Sequence, residues 1–499
     1  MLFHSYAFVF GFLPVVAAGF FLLARAGREV ALAWLAAASL FFYGWWNAAL
    51  VGLLLASIVA NYAAGRALQR CRGAPAGRPL LALAIGGNLA LLAYYKYAGF
   101  FAGILQGEAG SGWRVADVAL PLGISFFTFT QVIYLVEVAR GHVQDARFLH
   151  YLLFVSYFPH LIAGPLLHPG RTMPQFRDPA TFAPRMDHLC AGMTVFALGL
   201  AKKVLLADPL AGVADPVFDA AAQGGAPSLL EAWAGALAYA LQLYFDFSGY
   251  TDMAIGISLL FNVRLPRNFD SPYQASSIIE FWRRWHMTLS TFLRDYVYIP
   301  LGGNRRGPLR RHANLLATML LGGLWHGANW TFVLWGGVHG ALLVLNHAWR
   351  ALRVPPLPGG RPLGVAATFL AVTMAWVVFR SVDLDTAGRM LAGMAGLNGL
   401  SLPAAWQVPM TFAGLRFEGA APLSGVSMAS ATGWVAAGLV IVWTLPNAQA
   451  WVLDARSPAG GSGIRAWRPG LAHALVVGTL FAAAVAGFNR PSPFLYFQF

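Results

Sequence analysis

The sequence predicts an all-α, polytopic membrane protein, and three observations carry that prediction. Of 499 residues, 58% are hydrophobic and only 11% charged, against roughly a quarter charged in soluble domains. Mean hydropathy is +0.59, and 14% of the residues are aromatic, which excludes a disordered chain because such a composition buries readily. The apolar residues come in long runs, not in the alternating segments of about ten residues that build barrels. Only helices and closed barrels satisfy their backbone in lipid, so the runs read as helices.

The charge balance follows from this. Lys and Arg total 34 against 20 Asp and Glu, a net +14. The arginines occupy short loops between apolar runs, where membrane topology requires them. The expected surroundings are therefore a lipid bilayer, and no nucleic-acid partner is implied. The only lysines are Lys96, Lys202 and Lys203. Cys71 and Cys190 make neither a disulfide framework nor a zinc spacing.

The first apolar run, Ala7–Ala24, has no basic residue ahead of it and reads as an uncleaved span, not a secretory signal. Arg25 and Arg28 follow, then Val30–Trp46, a break at Asn47, Leu50–Ala64, and Arg66, Arg70, Arg72 and Arg78. Two spans joined at Asn47 return the chain to the side it left. Both basic loops then face the cytoplasm and the N-terminus lies outside. Further runs lie near Pro79–Tyr95, Val118–Val138, Leu149–Leu167, Leu189–Leu206, Leu229–Val263, Leu315–Trp330, Thr331–Leu345, Val365–Val378, Trp434–Trp443 and Leu471–Ala486. At about 20 residues per span, the runs predict roughly ten to thirteen membrane helices. No linker divides them, so residues 1–499 form a single domain. Leu400–Gly425 reads as a loop, and Asp454–Gly470, with Arg456, Arg465 and Arg468, as a cytoplasmic one. Gly and Pro interrupt the runs most densely between Pro121 and Gly340. Such breaks at membrane depth line cavities or lie buried in protein, so 121–350 is the expected catalytic core.

Within that core, SSIIEFWRRWHMTLSTFLRD from Ser276 places Ile278, Phe281, Trp282, Trp285, Leu289, Phe292 and Leu293 on one helical stripe. Glu280 and Arg284 are i,i+4 partners on the other side. The pattern suits one helix lying in the membrane interface, with His286 bordering its apolar face. The loop after Asp295 carries Arg305, Arg306, Arg310 and Arg311. They read either as a topology determinant or as a rim for the phosphates of an anionic donor. LGGLWHGANWTFVLWGGVHG from Leu321 embeds His326 in an apolar span, where an ionisable side chain marks a functional site by default. Asn329 offers an orienting amide beside it. On one continuous helix His339, 13 residues on, would face away from His326, and no metal site is expected. A membrane histidine without a metal suits proton handling. No GxSxG elbow, Walker loop, GxGxxG unit or CxxC pair is present. The economical chemistry is then transfer from a pre-activated donor such as a thioester to a deprotonated hydroxyl. Asp246 and Asp252 in YFDFSGYTDMAIG read as buried acids paired with Arg or hydroxyl groups. FPHLIAGP from Phe158 reads as a break, and Lys202–Lys203 as the cytoplasmic end of a span.

These segments, together with PLGISFFTFTQVIYLVEVARG from Pro121, RNFDSPYQ from Arg267 and the terminal SPFLYFQF, resemble the membrane-bound O-acyltransferase superfamily along essentially the whole chain. Within it they are most similar to the bacterial polysaccharide-acetylating branch that contains the alginate O-acetyltransferases. The resemblance implies His326 as the superfamily's catalytic histidine and His286 as the second, more variable active-site position. Trp325, Trp285, Asp295 and Asn329 become candidates for binding or orienting substrate. It further implies an acetyl donor, acetyl-CoA, that is a substrate and not a bound cofactor. The acetyl group would cross the membrane to a periplasmic or membrane-anchored, SGNH-hydrolase-like transferase, with a polysaccharide as final acceptor. Peptidoglycan O-acetylation and D-alanyl transfer are alternatives on the same fold. A transporter, or a scaffold for a secretion complex, is an alternative of another class.

Overall fold

A computed structural model of the chain describes residues 1–109, 120–143, 147–352, 359–400, 425–454, 467–489 and 494–495. Among these residues every regular element is helical. The first apolar run opens as a wide, π-type helical stretch (Ala7–Phe12) and continues without interruption into α1 (Leu13–Ala24), with Pro14 at the junction. Next come α2 (Arg28–Gly44), α3 (Ala49–Arg70) and α4 (Gly77–Ala109). Asn61 of α3 and Asn88 of α4 exchange amide hydrogen bonds of 2.6 and 3.1 Å, a polar contact suited to helix association in lipid. Helix α5 (Ile124–Arg140) is followed by α6 (Phe148–Ser156), then by α7 (Phe158–Leu161) at the expected FPHL break, and by α8 (Pro169–Thr172).

Helices α9 (Met186–Ala201), α10 (Asp208–Ala222) and α11 (Leu229–Leu260) form the centre. Nearly all of α11 is buried. A Cβ at Gly199 would stand 2.5 Å from the Gly249 carbonyl oxygen, and one at Gly256 would stand 2.6 Å from that of Gly192. The α9–α11 crossing therefore depends on glycine.

The reading of Lys202–Lys203 as a span end needs correction. Both lie inside the continuous Met186–Ala222 helical stretch, and Lys203 is 2% exposed. Lys202 Nζ is 2.6 Å from Asp252, which also accepts from Gln449 at 2.7 Å. Lys203 Nζ lies 2.7 Å from Asp246 and 2.9 Å from Asp208. Asp246 accepts a further bond from the Leu495 backbone N–H at 3.0 Å, while Phe494 stacks on Tyr250 at 4.4 Å. Asp246 and Asp252 are paired as expected, but with lysines. Removing one partner of such a buried pair costs about 3–5 kcal/mol.

The stripe from Ile278 forms two short helices, α12 (Ile278–Arg284) and α13 (Met287–Leu293). Its apolar side chains are buried within the protein. A long hairpin follows: α14 (Gly307–His326) and α15 (Trp330–Ala351). A Cβ at Gly323 would lie 2.2 Å from the Phe332 carbonyl oxygen, and one at Gly336 would lie 2.3 Å from that of Met319. The two backbones touch there. Helices α16 (Gly360–Arg380), α17 (Leu384–Met394), α18 (Met428–Thr444), α19 (Ala448–Leu453) and α20 (Leu471–Ala486) complete the described chain.

Six described stretches are long and apolar enough to cross a membrane: Ala7–Ala24, Ala49–Arg70, Gly77–Ala102, Met186–Ala222, Gly360–Arg380 and Met428–Leu453. The chain is a multi-pass membrane protein. Most of the Leu400–Gly425 loop, Arg456 and Arg465, and all of SPFLYFQF except Phe494 and Leu495 lie outside the described residues.

Candidate active site

His286 stands at the break between α12 and α13, where the sequence predicts one uninterrupted helix. Its backbone is left-handed (φ 42°, ψ 53°), a conformation that costs a non-glycine residue about 1–3 kcal/mol and persists only when its surroundings hold it. The hold comes from residues 268–270. The Asn268 carbonyl accepts from Met287 N–H, and the Asp270 N–H donates to the Arg284 carbonyl, each at 2.9 Å. The Asn268 side-chain oxygen receives Thr288 N–H at 3.2 Å, Thr288 Oγ1–H at 2.9 Å and His286 Nδ1 at 3.1 Å.

This pattern assigns the imidazole tautomer. A backbone N–H only donates, so the Asn268 atom facing Thr288 is the amide oxygen, and the Nδ1 facing that oxygen carries the proton. Nε2 of the neutral ring keeps its lone pair. Thr288 Oγ1 in turn accepts from Leu166 N–H at 3.1 Å, which ties the site to the chain after α7.

Glu280, on the exposed side of α12, forms the expected pair with Arg284 at 2.8 Å. Burial alone would raise its carboxyl. Hydrogen bonds from the Ser276 backbone and hydroxyl, with the Arg284 charge, outweigh that and hold it below the ordinary value of 4.5.

His326 is the last residue of α14 and is buried. Its ring meets Trp325 at 4.9 Å, Trp335 at 5.1 Å and Phe379 at 5.2 Å, all edge-on. Trp325 also lies 6.2 Å from the His286 ring and stacks on Phe129 at 5.3 Å. The two histidines thus flank a single indole. His339 does not face away, because α14 ends at His326 and α15 runs back. It packs on Trp335 at 4.7 Å and accepts a bond from Trp282 Nε1 at 3.3 Å. Among the described residues no group of three or more His, Cys, Asp or Glu gathers as a metal set.

Other candidates have different surroundings. Asn329 N-caps α15 through Thr331 N–H and donates to the Val382 carbonyl at 2.8 Å; its amide is committed to the hairpin turn. Trp285 is stacked on Phe281 at 5.6 Å and lies 4.9 Å from Trp376, in the aromatic packing behind His286. Asp295 pairs with Arg294 at 2.6 Å. Both line a cavity of about 630 Å³ that reaches Met287 and Thr288, immediately after His286. Its wall carries Arg171, Arg264, Arg267 and Arg294, of which Arg267 is paired with Asp454 and Arg294 with Asp295. Arg305, Arg306 and Arg310 are exposed and Arg311 half-buried, and none of these four lines that cavity. Sequence reasoning missed Asn268, which sits in RNFD with no periodic signal, and the four cavity arginines, which are dispersed over more than a hundred positions.

Similarity to known proteins can now be set beside this geometry. The family model for MBOAT, the membrane-bound O-acyltransferase family, matches residues 99–380. The chain is 42% identical over 430 residues to the peptidoglycan O-acetyltransferase of Helicobacter pylori, covering 81% of each chain. It is 40% identical to the probable alginate O-acetylase AlgI of Azotobacter vinelandii over the full length of both. The teichoic acid D-alanyltransferase of Streptococcus thermophilus is 30% identical over 52% of this chain and 68% of its own.

Proposed function

The chain belongs to the membrane-bound O-acyltransferase family, and from that premise we propose that it moves acetyl groups from a cytoplasmic thioester to the outer side of the inner membrane for O-acetylation of an exported polysaccharide such as alginate. It is a membrane O-acyltransferase; the donor, the direction and the polymer are our reading. One observation carries it: two buried imidazoles flank Trp325, and an arginine-lined cavity opens beside one of them.

The thioester is acetyl-CoA, whose phosphates the cavity arginines would meet in fork geometry. The acceptor hydroxyl attacks the thioester carbonyl. Its O–H proton passes to the His326 imidazole, the new C–O bond forms, the C–S bond breaks, and the proton leaves with the thiolate as a free thiol. Neutral His286, its Nδ1–H held by Asn268, fits a second proton acceptor better than a donor to a developing oxyanion. The N-terminus is periplasmic. The acetyl group passes to a periplasmic or membrane-anchored transferase that completes the polymer's modification.

The Helicobacter pylori relative, matched over 81% of each chain, favours peptidoglycan as a second acceptor. Purified protein in proteoliposomes, supplied with radiolabelled acetyl-CoA, the partner transferase and alginate oligosaccharide or soluble peptidoglycan fragments, tests the proposal. Labelled O-acetyl ester, lost in a folded His326→Ala variant, supports it. Full activity in that variant, or passage of label with no thiol release, refutes it.

A further inference from the structure

We propose that Lys96 is the positioning residue for His326, holding the end of α14 through its backbone; the proposal rests on His326 being the proton acceptor. Helix α14 stops at His326, because Gly327 turns to an extended conformation and Asn329 caps the next helix. Its last carbonyls therefore lack intrahelical partners, and the negative end of the helix dipole lies at the imidazole. Helix α4 supplies the missing donors. Lys96 Nζ donates to the Trp325 carbonyl at 2.7 Å and to the His326 carbonyl at 2.8 Å. Tyr97 Oη donates to the Leu324 carbonyl at 2.9 Å. Three successive carbonyls of the catalytic turn are thus held by two adjacent side chains of a different helix.

The choice of lysine has a physical reason. An ammonium in a membrane helix is expensive unless it is compensated, and here it also lies 3.5 Å from Ser125 Oγ and 5.9 Å from the centre of the Trp325 ring. A positive charge at a helix C-terminus is favourable, and two charge-assisted bonds to consecutive carbonyls restrict rotation of the turn. Gly323, in the same turn, lets α15 touch α14. That contact fixes how far apart the hairpin's backbones lie. The lysine fixes where its tip points. The other charged residues of α4, Arg78 and Glu108, stand at its two ends.

The experiment compares full-length Lys96→Met, Lys96→Arg, Tyr97→Phe, His326→Ala and the Lys96→Met/His326→Ala double variant in proteoliposomes with acetyl-CoA, the partner transferase and alginate oligosaccharide as acceptor. CoA release is read as kcat and KM, beside thermal unfolding in detergent. Misplacing a reacting group by about 1 Å costs on the order of a hundredfold in rate. The expected result is a loss of about a hundredfold in kcat for Lys96→Met with donor KM within threefold. Lys96→Arg should recover to within about tenfold of the parent, Tyr97→Phe should lose about tenfold, and the double variant should be no worse than His326→Ala alone. A Lys96→Met enzyme within threefold of the parent while His326→Ala is inactive overturns the positioning role and leaves the site standing. An active His326→Ala variant overturns the site and this inference with it. If Lys96→Met does not insert, Tyr97→Phe at parental kcat overturns the proposal. A loss carried by KM overturns it as well.

Discussion

Replacing Asn268 by leucine tests how the left-handed break at His286 is held. The substitution keeps the approximate volume and removes the oxygen that accepts from His286 Nδ1–H, Thr288 N–H and Thr288 Oγ1–H. The hydroxyl can rotate to another acceptor and the imidazole can shift its proton to Nε2, but the Thr288 N–H cannot move. A donor left unpaired in the protein costs about 1–3 kcal/mol, so stability should fall by about that amount. The imidazole also loses the contact that selects its tautomer. If His286 handles a proton, kcat should fall by roughly 10²–10⁴, the usual worth of a placed acid or base. Asn268→Asp keeps an acceptor oxygen facing both groups and should recover most of the stability and part of the rate. The assays are CoA release in proteoliposomes and thermal unfolding in detergent. A leucine variant with parental melting and parental kcat would refute the hydrogen-bond assignment. One that melts early yet turns over normally would place His286 outside the chemistry.

Three further outcomes follow from the same geometry. Gly323→Ala should cost at least about 2 kcal/mol, in the manner of an overpacked core, and abolish acetyl transfer, because the added carbon meets backbone at 2.2 Å and nothing flexible can move aside; normal unfolding of the purified variant would contradict this. Glu280 has a folded-state pKa below its ordinary 4.5, so its stabilising contribution is fully present above that value and disappears as pH falls through the lower, folded value. The melting-temperature gap between the parent and Glu280→Gln should therefore be widest near neutrality and close on acidification below about pH 4.5; a gap that widens in acid has the wrong sign. Neutralising Arg171 and Arg264 together should raise donor KM about tenfold or more with kcat little changed, whereas Arg305→Ala with Arg306→Ala should leave both near parental values. The reverse ranking would return the donor's phosphates to the loop.

Much of the helical frame was legible because lipid leaves the backbone few alternatives, and the apolar runs therefore mark the helices. The stripe from Ile278 to Leu293 correctly identifies a buried face. It cannot reveal the break at His286, because the bonds that enforce the break come from Asn268, eighteen positions upstream. His339 was misplaced by treating a hairpin as one rod, although Gly327 and the cap at Asn329 were a visible sign of the turn. Lys202 and Lys203 look like a topology marker because the carboxylates that neutralise them lie up to fifty positions away. Lys96 is the opposite case. It is a lone ammonium in an apolar run, and membrane energetics alone mark it for attention.

The bond between Asp246 and the Leu495 backbone also sets an order of events. Asp246 lies in the middle of the chain and meets its lysine once α9, α10 and α11 are in place, but its other oxygen waits for an N–H that is synthesised 249 positions later. A nascent bundle that has reached only Ala486 holds a carboxylate in its core that is one donor short, and Tyr250 has yet to receive Phe494. Completion of the interior thus waits for the segment that carries Phe494 and Leu495. A nonsense codon just before Leu495 disturbs the centre of the protein and not only its edge.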